Sequence, residues 1–511
     1  MKSFYRNKII NGIEYVYEIT PYYDSDTKKV RQKSRYIGKD QDGKIVKVRE
    51  KKLKDVFSYG EFLPIEQIIK YYKLDKFLIK ELGKTQAKAM FAICAARLLR
   101  GLALQHVSSW YEGTWLYYLT RELPLSSASI SRTLSAIGEG RLQDKLITHL
   151  IRQLKSKRTI LYDITSVSSY SELMKLLEWG YNRDQYDLPQ INLSMILDKQ
   201  EGIPLGYEIY PGSISDVKTL NNTIKKMNVL GVRDFTLILD RGFFSVNNID
   251  LLLQNYADFV IAVPERYSSV EKLIRRLGKD IERPRYLKKL NDEVIFVKET
   301  GIEVGHHLLK GYCYYNPKRA QQEKDSFYKR LFTIQQQVEG LTMHKLVKTK
   351  ALEIMGKLSG YFSLQITPEK ITAQIKEKAV ARRLNKKGLF LIAYHGDYSW
   401  DGCLIAYKEK DLIERSFNIL KNDLELSTPH THKDTTLKGL MFISLLALII
   451  RMKIMNELKK ANMSKDYGFE KMMLQLEKIK AVVTDNGQVF ISEITKKQRE
   501  LLELFDAVPK E

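Results

Sequence analysis

Two short apolar runs, each interrupted by one aspartate, constrain this chain more than anything else in it. They are Arg158-Thr-Ile-Leu-Tyr-Asp163-Ile-Thr165 and Phe235-Thr-Leu-Ile-Leu-Asp240-Arg-Gly242. Both carry apolar side chains on both faces, which marks interior strands of a sheet covered on each side, the arrangement of α/β proteins. An ionised carboxylate in such a strand is costly unless it is paired or binds a metal. In the second run Arg241-Gly242 ends the strand at once, so Asp240 is expected at a strand tip. Taken singly, each aspartate also fits a turn or a cap. As a matched pair on two central strands they point to a site.

A third carboxylate follows on a helical pattern, Tyr407-Lys-Glu-Lys410-Asp-Leu-Ile-Glu414-Arg-Ser-Phe-Asn-Ile-Leu-Lys421. On one continuous helix, Tyr407, Lys410, Glu414 and Lys421 share a stripe about 60° wide at 100° per residue. The apolar Ile413, Phe417, Leu420 and Leu424 lie beside it. The pattern fits a helix packed on a core, holding a metal-binding carboxylate at the core's edge with cations spaced for phosphate. It equally fits a surface helix with ordinary Glu/Lys pairs.

Asp163, Asp240 and Glu414 together resemble the DDE triad of bacterial and archaeal insertion-sequence transposases with an RNase H-like catalytic core. The likeness is to the group with a Tyr-x2-Arg-x3-Glu-x6-Lys signature. Lys410 stands where that group usually has Arg. It extends through Trp179-Gly-Tyr-Asn-Arg-Asp184, Asp187-Leu-Pro-Gln190, Gly202-Ile-Pro-Leu-Gly206, Pro211-Gly-Ser-Ile-Ser-Asp216 and Asp240-Arg-Gly-Phe-Phe-Ser245. These cover roughly residues 155 to 265 and 388 to 455.

The resemblance implies Mg²⁺, with Mn²⁺ as a substitute, held by Asp163, Asp240 and Glu414. Asp163 would bridge two ions, with one each at Asp240 and Glu414. It implies cleavage of the element's ends and joining of their 3′ ends to target DNA, with Tyr407, Lys410, Lys421, Arg241 and Trp179 on the DNA. The partners implied are double-stranded DNA, as element ends and target, and a second copy of the chain in a homodimeric synaptic complex. A structure-specific metal-dependent nuclease, or a non-catalytic DNA-binding protein derived from a transposase, is the alternative.

Composition agrees. Lys and Arg number 84 against 61 Asp and Glu, a formal charge of +23 that favours polyanionic partners. Cys94, Cys313 and Cys403 are scattered, with no zinc or disulfide spacing, and read as small core residues in a reducing cytoplasm. The histidines show no ligand spacing, and His306-His307 and His430/His432 read as polar loop residues. No Walker loop implies ATP. No secretory signal is visible at the amino terminus. The longest apolar run, Gly439 to Ile450, is too short to span a bilayer and reads as a buried helix behind the Glu414 helix.

The expected organisation is an α/β chain with an RNase H-like catalytic core, an insertion before the last catalytic helix, and a β-rich and helical DNA-binding region in front. Residues 1–60 form a basic β-rich module with turns at Asn11-Gly12 and Asp42-Gly43. Residues 61–155 are helical and bind DNA, with a largely buried helix over Ala87 to Leu104. Within them, Leu123 to Gly138 resembles a helix-turn-helix reading element capped by Ser127, presenting Ser129, Ser131, Arg132 and Ser135. The core occupies 156–265 and 388–455, the insertion 266–387, and a C-terminal region 456–511. The core strands are expected near Asp163, at 190–197, 204–210, Asp240 and 259–263, with helices at 216–230 and 246–254.

Overall fold

A computed structural model describes the chain except for residues 1, 11–12, 25–27, 42–43, 47–52, 154–157, 181–182, 184–186, 215, 230–234, 256, 266, 279, 343, 428, 430 and 510–511. The turn residues Asn11, Gly12, Asp42 and Gly43 therefore lie outside the described residues, as do Tyr181, Asn182, Asp184 and His430.

Among the described residues, the molecule is mixed α/β around a nine-stranded sheet. In chain order its strands are β1 (Arg158–Ser168), β2 (Gln190–Asp198), β3 (Ile203–Pro211), β4 (Phe235–Leu239), β5 (Asp258–Val263), β6 (Leu287–Leu290), β7 (Glu293–Val304), β8 (His307–Tyr315) and β9 (Leu389–His395). Their spatial order is β6-β7-β8-β9-β5-β4-β1-β2-β3. β1 pairs antiparallel with β2 and parallel with β4, and β4 runs parallel to β5. β2 and β4 are buried along their whole length, as apolar runs on both faces require.

Helices α1 (Ser127–Glu139), α2 (Asp216–Val229), α3 (Val246–Gln254), α4 (Trp400–Lys408), α5 (Asp411–Asn418) and α6 (Asp434–Lys460) matter most for the site. α6 is 27 residues long, about 40 Å at 1.5 Å per residue, and most of it is buried. It includes the apolar run read from the sequence but packs chiefly on α1 and on the helix Lys84–Arg100. The α1–α6 crossing is at backbone distance. A Cβ on Gly138 would lie 1.9 Å from the Thr435 carbonyl oxygen, and one on Gly439 2.0 Å from that of Leu134. No described helix is long and apolar enough to cross a membrane.

Several elements differ from expectation. The buried helix stops at Arg100, not Leu104, because Gly101 takes the left-handed conformation that terminates helices. α1 is capped by Ser126, whose hydroxyl accepts from the Ser129 N–H, not by Ser127. The helix expected from Tyr407 to Lys421 is broken. α4 ends at Lys408, α5 starts at Asp411, and Ile419–Asp423 is a π-helical turn.

β6, β7 and β8 lie in the stretch read as an insertion, yet they extend the main sheet through β9. Within that stretch, residues 327–380 have their own small core, where Phe327, Leu331, Val347, Met355, Phe362 and Val380 pack together. The strand Lys480–Thr484 of the C-terminal region pairs with Leu53–Ser58, joining the two ends of the chain in one small sheet. All three cysteines are buried and free, and burial pushes each thiol up to about 12.

Candidate active site

The parallel pairing of β1 with β4 builds the centre. Leu161 stands across from Ile238, so two residues further on Asp163 faces Asp240 on the same side of the sheet. Asp163 is still within its strand, while Asp240 sits just beyond the end of β4, followed by a short turn over Arg241–Phe243. The Ile164 N–H donates to Asp163 Oδ1 at 2.9 Å.

α4 and α5 bring the remaining groups. α5 buries Ile413, Ser416 and Phe417, and the Ser416 hydroxyl contacts Met452 Sδ of α6 at 3.1 Å. That packing leaves Glu414 outward in the first turn, where the helix dipole favours a negative charge. Lys410 sits at the break between α4 and α5. Its Nζ lies 3.0 Å from Asp240, 2.9 Å from Glu414 and 3.9 Å from Asp163. One ammonium therefore touches all three carboxylates. Tyr407, from the last turn of α4, donates its hydroxyl to Asp240 Oδ1 at 3.3 Å.

The titration behaviour follows from this packing. Burial raises the Asp163 carboxyl to about 6, and Asp240 adds to the rise; Lys410, the Ile164 N–H and Arg183 oppose it. Burial also acts upward on Asp240, but Lys410 and the Arg241 N–H outweigh it, and its pKa falls below the ordinary carboxylate value. Burial acts downward on Lys410, and the surrounding carboxylates more than reverse it, so the ammonium stays charged. Burial and the Asp240 charge raise Tyr407 to about 12, so its hydroxyl keeps its proton at neutral pH.

Asp163, Asp240, Glu414, Lys410 and Tyr407 thus converge, and Arg241 is exposed on the turn beside Asp240. Lys421 is not on a continuous face with them. It lies in the π-helical turn and is only 8% exposed, because the break at Lys410 and the π turn change the helical phase. Trp179 is in a loop and 64% exposed, so it is not a core residue. Arg132 is exposed on α1, its guanidinium on the Ser129 hydroxyl at 3.1 Å. Ser131 is exposed too, whereas Ser135 is half-buried and bonded to Thr435 at 2.6 Å.

Sequence reasoning did not single out Arg183. It contacts Ser166 Oγ at 3.3 Å and lowers the Asp163 carboxyl. Its place in the Trp179–Asp184 motif was the available signal.

Residues 154–450 match the protein family described as Transposase DDE domain. No curated protein matches the chain. Among solved structures, the chain is similar to a piggyBac transposase synaptic complex with hairpin DNA. That likeness has 12% identity over 82% of this chain and 77% of that one, with a TM-score of 0.36. It is also similar to the Drosophila P element transposase strand transfer complex, at 12% identity over 78% of this chain and 87% of that one, with a TM-score of 0.20.

Proposed function

The chain belongs to the transposase DDE domain family, and from that premise we propose that it binds the ends of its own mobile DNA element, cleaves them and joins the 3′ ends to target DNA. The observation that carries the reading is the facing of Asp163 and Asp240 across β1 and β4, with Glu414 bound to them through Lys410. In this reading β3-β2-β1-β4-β5 is an RNase H-like core. Residues 1–155 supply end recognition, and 388–455 complete the core.

The donor set fits a hard divalent cation. It offers carboxylate oxygens only, and a positive group already lies among them. Asp163, Asp240 and Glu414 would hold Mg²⁺, with Mn²⁺ as substitute. Two such ions would supply activation of the attacking water or 3′-hydroxyl and stabilisation of the leaving oxygen.

The chain's own residues do the rest. With divalent ions held by the carboxylates, the Lys410 ammonium would be displaced from them and could contact a phosphate beside the scissile bond. Tyr407 keeps its proton and donates to Asp240, which holds that carboxylate in place. Arg241, exposed at the same edge, adds a second phosphate contact, and Lys421, nearly buried in the π turn, would have to swing outward to add a third. Trp179 stacks on an unpaired base, a contact worth about 1–3 kcal/mol. Arg132 on α1 reads the end sequence. Two copies hold two ends in a synaptic complex.

The direct test uses a labelled duplex carrying an inverted-repeat end from beside the gene, a target plasmid and Mg²⁺. Labelled DNA joined to the plasmid is expected. Cleavage without joining would make the protein a nuclease. Binding without cleavage would remove the catalytic assignment.

A further inference from the structure

We propose that Asp250, His306 and His307 form a second metal site, for a transition-metal ion of the zinc class, separate from the carboxylate trio. The site begins with a turn. β7 and β8 form a hairpin in which Val304 pairs with His307, leaving Gly305-His306 as a two-residue loop. Gly305 has φ +60°, the left-handed value that two-residue hairpins take at a first-position glycine. A Cβ there would lie 2.8 Å from Val246 Cγ1, so the hairpin tip is pressed onto α3. Asp250 lies one turn further along the same helix.

The tight turn has a chemical consequence. Successive residues on a straight strand point to opposite faces. Here His306 and His307 lie side by side, their ring centroids 3.9 Å apart. His307 Nε2 contacts Asp250 Oδ1, and His306 Nε2 is 3.6 Å from the same oxygen. One donor atom from each of the three residues lies within 4.8 Å of the others. Tetrahedral zinc, with bonds of about 2.0–2.1 Å, holds its donors about 3.3 Å apart, within reach of small side-chain rotations.

A hydrogen bond between His307 and Asp250 would account for those two residues alone. It does not account for a second imidazole facing the same oxygen beyond hydrogen-bond range. An ion between them accounts for all three. Two imidazole nitrogens and one carboxylate select zinc-like ions, whereas Mg²⁺ prefers oxygen. Each ring would carry its proton on Nδ1 and offer the Nε2 lone pair. His306 is 73% exposed, which leaves the fourth position open to water. A bound ion would clip the hairpin tip to the helix that follows Asp240.

The test uses the full chain, stripped of metal by chelation and then held in excess Mg²⁺. Co²⁺ is titrated in, and thermal unfolding is followed with and without Zn²⁺. Intense visible bands of tetrahedral Co²⁺, displaced by Zn²⁺, are expected, together with a Zn²⁺-dependent rise in unfolding midpoint. Both should vanish in His306→Ala. Because His306 is so exposed, that variant should unfold at the wild-type midpoint in Mg²⁺ alone. Both should persist when Asp163→Asn, Asp240→Asn and Glu414→Gln are combined. No tetrahedral spectrum, a spectrum unchanged in His306→Ala, or one lost with the carboxylate trio would each overturn the proposal.

Discussion

The carboxylate trio and the Asp250–His306–His307 cluster contrast in how they are built. In the trio, Asp163 within β1 and Asp240 just beyond β4 have their register fixed by the sheet, Glu414 comes from α5, and all three offer only oxygen. The cluster sits at the tip of an edge-ward hairpin pressed onto a helix, and offers two nitrogens and one oxygen. The trio already has a positive partner in Lys410, whereas the cluster brings two imidazoles to one carboxylate oxygen. Rigid placement and hard donors suit phosphoryl transfer. An exposed, mixed-donor tip suits a fastening between elements.

The largest effect should separate the two sites outright. Asp163→Asn, Asp240→Asn and Glu414→Gln should each abolish Mg²⁺-dependent end cleavage while DNA binding survives, since phosphate contacts elsewhere dominate affinity. His306→Ala should cleave as the wild type does. Cleavage by a trio variant at near wild-type rate in a gel assay would take that residue out of the site.

Lys410 comes next. Lys410→Met leaves three neighbouring carboxylates without their shared cation. It should destabilise the metal-free protein by about 3 kcal/mol in urea unfolding, the scale of a broken buried pair. Saturating Mg²⁺ should recover most of that loss, and calorimetry should show tighter Mg²⁺ binding than in the wild type. Lys410→Arg should retain cleavage, since the guanidinium can bind phosphate bidentately. A Lys410→Met loss that Mg²⁺ does not reduce would mean that Lys410 and the ion do not share a place.

Acidity tests the trio from another side. Asp163 titrates near 6 in the folded chain against an ordinary 3.8, so the folded state binds this proton more tightly than the unfolded. Its contribution to stability is therefore complete below about pH 4 and lost as pH rises through about 6, at most about 3 kcal/mol. Metal-free Asp163→Asn should not show that loss, and should gain on the wild type between those two pH values. Parallel stability–pH curves for the two proteins would show that the aspartate is not held against its charge.

The smallest effects are expected at Arg132 and Lys421. Arg132→Ala and Lys421→Ala should each reduce the salt dependence of end binding by about one phosphate contact or less. Lys421, being nearly buried, should also lower the unfolding midpoint, which the exposed Arg132 should not. An unchanged salt slope in both would place the end-binding surface elsewhere.

What the sequence determined by itself was the local chemistry. Apolar runs on both faces marked β1 and β4, and their length and turn signals located β2, β3, β5, α2 and α3 within a residue or two. The same runs singled out Asp163 and Asp240 as candidates, because a carboxylate in an interior strand is costly unless it is paired or binds a metal. Glu414 stood beside an apolar helical face, a pattern that a surface helix with Glu/Lys pairs shares.

Contacts between distant segments were left to the tertiary structure. Periodicity gives the face of a strand but not its neighbour, so β6, β7 and β8 read as an insertion and yet extend the main sheet. Lys480–Thr484 reads as tail and pairs with Leu53–Ser58. A continuous 3.6-residue pattern cannot show the break at Lys410 or the π turn after Asn418, where α5 packs on β1 and the π turn on α6. His306-His307 read as loop polarity, since their common partner is 57 residues away on a helix. Local propensity is written along the chain. Which carboxylate meets which cation is decided by long-range packing, where the cost of burying charge selects the pairs that survive.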